Sequence, residues 1–135
     1  MKKIKMAVLA IACLALAVGA FASSIQQSIE QIIKAGLTAT YTSSGLTTTD
    51  TYLVSNDGNV FLHFKKTGAG ACTVTIATPN TVQGLSIADQ TISIPATTGD
   101  KFVGPFSATL FNDAAGNVSF TLSDTVGLSF AVLRL

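Results

Sequence analysis

From residue 60 onward, apolar and polar side chains alternate in short runs, and this period of two constrains the chain more than any other feature. Val60, Leu62 and Phe64 alternate with Phe61, His63 and Lys65; Cys72, Val74 and Ile76 alternate with Thr73, Thr75 and Ala77. Ile92 and Ile94 repeat the pattern, as do Val118, Phe120 and Leu122, and then Leu128, Phe130 and Val132. Successive side chains on a strand point to opposite faces, so each run offers one apolar face to a core. Residues 101–103 and 109–111 are shorter strand candidates. Turn signals punctuate the runs: Asn56-Asp57-Gly58, Gly68-Ala69-Gly70, Pro79-Asn80, Thr98-Gly99-Asp100 and Ala115-Gly116-Asn117. Glycine supplies positive φ there, and Asn and Asp bond their own backbone. No helix of crossover length separates the strands, which argues against a parallel α/β sheet. The expectation is an all-β chain, with a single antiparallel β-sandwich or jelly-roll-like domain of about seven strands over residues 51–135. The stretch Asn56-Asp57-Gly58-Asn59-Val60 is echoed by Asn112-Asp113 and Gly116-Asn117-Val118. Shared turn chemistry ahead of two strands accounts for the echo without a duplicated domain.

The N-terminus reads differently. Lys2, Lys3 and Lys5 precede an apolar run that ends in Ala20-Phe21-Ala22. A charged start, an apolar middle and an A-x-A end make residues 1–22 a secretory signal peptide. The run of about 17 residues is at the lower limit for spanning a bilayer, so a membrane is met only through an uncleaved leader. A lipoprotein cut before Cys13 and an unexported apolar arm against a partner are the other readings. Residues 23–50 form an amphipathic segment and a Thr/Ser-rich linker. Ser24 to Gln27 fits a capping box, and Ile25, Ile29, Ile32 and Ile33 fall on one helical face, closed by Gly36. This spacing predicts a short helix over residues 25–35; an extended arm competes, since isoleucine also suits strands. Ten of the fourteen residues 38–51 are Thr, Ser or Gly, which reads as a surface loop or linker.

Cleavage after Ala22 would leave 113 residues, enough for one domain, with five basic and seven acidic side chains. That balance argues against nucleic acid, which needs a clustered basic face. The same part holds 18 Thr and 12 Ser, suited to exposed strand faces. Cys72 would then have no disulfide partner and reads as a small buried apolar residue.

Catalytic chemistry finds little support. A hydrolytic triad needs a nucleophile, a base and a group orienting that base, and His63 is the only imidazole. Its alternation places it on the polar face of a strand, as a half-exposed histidine; a pairing with Cys72 across adjacent strands is the functional alternative. One Cys and one His fall short of a zinc site. Asp57, Asp89, Asp100 and Asp113 read as turn residues, without the spacing of a calcium loop. Glu30 is the single glutamate, so paired carboxylates for glycoside hydrolysis are missing. The chain has no Trp; Phe61 is the candidate exposed ring, with Tyr41 and Tyr52 near the linker. No enzyme activity and no cofactor are expected. The candidate partner contacts are Ile25, Ile29, Ile32, Ile33, Phe61 and His63.

Several short blocks carry a family likeness. They are Ser55-Asn56-Asp57-Gly58, Phe61-Leu62, Thr73-Val74-Thr75-Ile76-Ala77-Thr78-Pro79 and Gly84-Leu85-Ser86-Ile87-Ala88-Asp89. Pro95-Ala96, Gly104-Pro105-Phe106, Asn112-Asp113 and Val132-Leu133-Arg134-Leu135 continue the series. In order and spacing, residues 50–135 resemble small tailed-phage proteins that serve as head decoration or auxiliary virion proteins. The resemblance implies a β-sandwich bound to the outside of a capsid, on the virion surface, with protein shell or coat subunits as partners. It brings no active-site residues. Self-association as a homo-oligomer is a second kind of partner. The leader points to a different role, an exported bacterial β-sandwich acting as a surface, matrix or adhesive subunit, secreted or held at the cell surface.

Overall fold

The structure is a computed structural model and describes residues 22–135. The leader's apolar run, the Cys13 lipoprotein site and the membrane-anchor reading lie outside the described residues. No helix among the described residues is long and apolar enough to cross a membrane.

The chain is all-β. Its strands are β1 (Ser24–Gln26), β2 (Glu30–Gln31), β3 (Thr51–Ser55), β4 (Val60–Lys66), β5 (Cys72–Ile76), β6 (Thr81–Val82), β7 (Leu85–Ser86), β8 (Gln90–Ile94), β9 (Gly99–Val103), β10 (Asn117–Leu122) and β11 (Leu128–Arg134). Among the described residues the one helical turn is α1 (Ala108–Phe111), where a short strand is expected from sequence. Ser107 starts that turn by accepting backbone bonds from Leu110 and Phe111, and Phe111 packs on Phe106. Two main sheets form, in the orders β1-β3-β10-β5-β8 and β2-β11-β4-β9, beside a small β6-β7 hairpin. From β3 to β11 the chain changes sheet at most connections, so the strands of each sheet come from distant parts of the sequence.

The sheets are mixed, in contrast to the antiparallel expectation. β1 pairs with β3, and β2 with β11, in parallel; the other named pairs are antiparallel. Residues 27–50 separate β1 from β3, long enough for the crossover that parallel neighbours require. The helix expected over residues 25–35 is replaced by its extended alternative. Gln27 N donates to Leu53 O (2.8 Å) and Ile32 N to Arg134 O (2.9 Å), so backbone groups of this segment bond across the two sheet edges. Ile25 and Ile29 pack against the core, and two sheet edges take the β-branched residues that a helix would have stacked on one side.

The Thr/Ser-rich stretch is tied down rather than free. Thr42 and Phe130 exchange backbone hydrogen bonds of 2.8 and 3.1 Å. Thr47 N donates to the Tyr52 hydroxyl (2.8 Å), and buried Asp50 accepts from Ser23 N (2.9 Å). The expected turn at Thr98-Gly99-Asp100 lies slightly earlier, because Gly99 and Asp100 already belong to β9. The β6-β7 hairpin turns on Gln83 and Gly84, both with positive φ (52° and 80°), a two-residue turn that glycine makes accessible. The two echoed turns meet in space. Asn56 Nδ2 donates to Asn112 Oδ1 (2.7 Å), and Asn112 Nδ2 donates back to Asn56 O (2.9 Å).

The alternating apolar residues of both main sheets enter one core. At its centre Tyr52 and Phe120 from the five-stranded sheet meet Phe64 and Phe130 from the four-stranded sheet. Phe120 and Phe130 are 5.3 Å apart edge to face, and Tyr52 stacks on Phe120 at 5.3 Å. Tyr52 is therefore a core residue and not a surface ring near the linker. Lys66 ends the inward face of β4 at 1% exposure. Its ammonium is met by Asp124 Oδ2 (3.0 Å) and donates to Val126 O.

Candidate functional site

The outward face of the four-stranded sheet carries the densest chemistry among the described residues. On β4, Phe61, His63 and Lys65 point away from the core. In register with them, β9 places Phe102 beside His63 and Asp100 beside Lys65, while β11 places Ala131 opposite His63. The segment that bonds to Phe130 through Thr42 brings Tyr41 to this face. Ala131 is small, which leaves room for the Tyr41 ring to reach across β11 to β4.

The result is a hydrogen-bonded chain of three side chains. The Tyr41 hydroxyl lies 2.6 Å from His63 Nδ1, and His63 Nε2 lies 2.6 Å from Asp100 Oδ1. An ionised Asp100 fixes the proton on Nε2, so neutral His63 presents a lone pair at Nδ1 to the tyrosine O–H. Phe102 stacks on the imidazole at 3.9 Å and 9°. Lys65 Nζ sits 4.6 Å from the centre of the Tyr41 ring, a cation–π distance. The hydrogen bond from His63 holds the Asp100 carboxyl below its usual range, and the Lys65 ammonium acts the same way.

His63 is thus buried, at 7% exposure, and not the half-exposed histidine read from the alternation. The polar face of β4 is covered because Tyr41 and Phe102 close over it, and neither contact is local in sequence. Cys72 does not meet His63: it faces the core from β5, whereas His63 faces outward from the other sheet.

The six expected contact residues separate into three groups. Phe61 and His63 share the outward face, with Phe61 half-buried and 6.1 Å from Phe102. Ile25 and Ile29 turn inward against the core. Ile32 and Ile33 stay exposed, at 37% and 54%. Sequence reasoning missed Tyr41 and Asp100 as partners of His63, and Phe102 as its cover. The alternation assigns faces within a strand, but it does not reveal that β9 lies beside β4.

Other chemistry is sparse. No group of three His, Cys, Asp or Glu among the described residues is placed to hold a metal ion. A hydroxyl-lined depression of about 180 Å³ lies against Thr51, Thr75, Asp89, Ser119 and Thr121, in the five-stranded sheet and away from His63. Asp89 is engaged there as acceptor for Thr78 N (2.8 Å). No protein-family model, no curated protein and no solved structure matches this chain.

Proposed function

We propose that this chain is a non-enzymatic virion structural protein, a capsid decoration or auxiliary subunit whose β-sandwich body binds an assembled protein shell. The observation that carries the reading is the apolar surface its own fold leaves uncovered. On and beside the β6-β7 hairpin, Val82, Leu85 and Ile87 are 46%, 72% and 37% exposed, and Ile33 is 54% exposed. Apolar side chains grouped on an exposed hairpin mark a contact surface. The likeness of residues 50–135 to phage head proteins supplies the partner. A protein that binds only the assembled shell stabilises it by mass action.

Two double substitutions test this. Ile32→Asp with Ile33→Asp, and Val82→Asp with Leu85→Asp, alter only exposed side chains, so each should keep the unfolding free energy within about 1 kcal/mol of the unmodified chain. Cosedimentation with assembled shells should weaken at least tenfold, by about 1.4 kcal/mol or more, for one pair or both. Undiminished cosedimentation of both variants would refute the contact surface. Ile29 is unsuitable for this test, because it packs on the core.

A second reading, an exported surface, matrix or adhesive subunit, is favoured by one feature: the charged, apolar and A-x-A order of residues 1–22. A mature N-terminus at Ser23 supports export, and an intact Met1 supports assembly inside the cell.

A further inference from the structure

We infer that Tyr41 is an activated nucleophile, a single-use acceptor for an acyl group from an activated ester. Three roles of acyl transfer, those of nucleophile, base and the group that orients the base, are each filled by a named group. Tyr41 Oη is the nucleophile, within 2.6 Å of the base, His63 Nδ1. Asp100 orients that base through Nε2 at 2.6 Å, the third member that a nucleophile–base pair requires. Phe102 stacks on the imidazole and holds its plane. Lys65 places its ammonium over the ring of the reacting phenol, 4.6 Å from the ring centre. A phenol is a much stronger acid than the aliphatic hydroxyl of serine, so a neutral imidazole suffices as its base.

The step balances without a cofactor. Tyr41 Oη attacks the carbonyl carbon, and its proton passes to His63 Nδ1. The carbonyl oxygen takes up the electron pair. The carbon–oxygen bond to the leaving group then breaks, and the leaving alkoxide or phenoxide recovers the proton from His63. Tyr41 is left as an aryl ester. The site lies on an outward sheet face, where Tyr41 itself is partly exposed and the Asp100 side chain is 61% exposed, so an ester can approach from solvent.

The test uses the full chain with p-nitrophenyl acetate at neutral pH, following p-nitrophenolate release and peptide mass. The expected result is one acetyl group per chain on Tyr41, removable by neutral hydroxylamine as an ester is and an amide is not. Its formation should be about 10²-fold faster than acetylation of N-acetyltyrosinamide. Tyr52 is the internal control, being 1% exposed with its hydroxyl held by Thr47, and should stay unmodified. Tyr41→Phe should remove the burst. Asp100→Asn keeps an acceptor for Nε2 but removes the charge; it should slow the burst at least about tenfold with an unchanged circular dichroism spectrum. Acetylation confined to lysines, a Tyr41 rate equal to that of the free amide, a burst that survives Tyr41→Phe, or a rate indifferent to Asp100→Asn would each overturn the assignment.

Discussion

Phe130→Ala should lower the free energy of unfolding by about 3–5 kcal/mol, the range for emptying a packed aromatic site. Phe130 is fully buried and touches all three other rings at the centre of the core: Tyr52 at 5.7 Å, Phe64 at 5.7 Å and Phe120 at 5.3 Å. Two of those rings belong to the opposite sheet, so the cavity opens at the contact that joins the sheets. Phe130 also exchanges two backbone bonds with Thr42, which brings Tyr41 to His63. Loss of ring packing should therefore loosen that segment as well. A domain of this size has about 5–15 kcal/mol of stability in total, so the variant should be close to unfolding at 37 °C. Urea denaturation followed by circular dichroism measures the change. A loss below about 1 kcal/mol would mean that the four rings do not form a shared core.

Asp124→Asn should destabilise strongly, whereas Lys66→Met should leave the protein as stable as before or more so. The asymmetry follows from burial. Lys66 is 1% exposed, and its ammonium relies on Asp124 Oδ2 and Val126 O. Removing the carboxylate strands a cation inside the protein. Replacing the cation by an apolar chain of similar length removes the need for a partner, and the Asp124 carboxylate it leaves is a quarter exposed and can turn to solvent. The double variant should be more stable than Asp124→Asn alone. Acid should act on the same pair. The Asp124 carboxyl is held below its usual range by the Val126 amide and by Lys66, and Asp100 is held low by His63. A carboxyl whose folded value is depressed contributes stability that is fully present above its unfolded value, about 3.9 for aspartate. That contribution is lost as pH falls through the lower folded value. The melting temperature should therefore fall below about pH 4, and less steeply in Lys66→Met with Asp100→Asn. An equally steep acid limb in that variant would contradict the assignment.

Much of the core was legible in the residues alone. Val60, Leu62, Phe64, Cys72, Val74, Ile76, Val118, Phe120, Leu122, Leu128, Phe130 and Val132 are all buried as the alternation requires. Period two is a local property and survives any strand order. What escaped was set by contacts between distant segments. Ile25, Ile29, Ile32 and Ile33 fit a helical stripe as well as an edge strand, and only the sheet edges decide between them. His63 occupies an outward position in its strand, yet Tyr41 and Phe102 bury it from segments 22 and 39 residues away. Lys66 carries a charge at an inward position, and its acceptable burial depends on a turn near Asp124. The β6-β7 hairpin has no apolar alternation long enough to announce itself.

Quantitative mass spectrometry of purified virus particles, read beside the N-terminus of the chain, tests the proposed role most directly. The account predicts this chain in the particles at a fixed ratio to the coat protein. Its absence from intact particles, together with chains beginning at Ser23 in the envelope or culture medium, would contradict it.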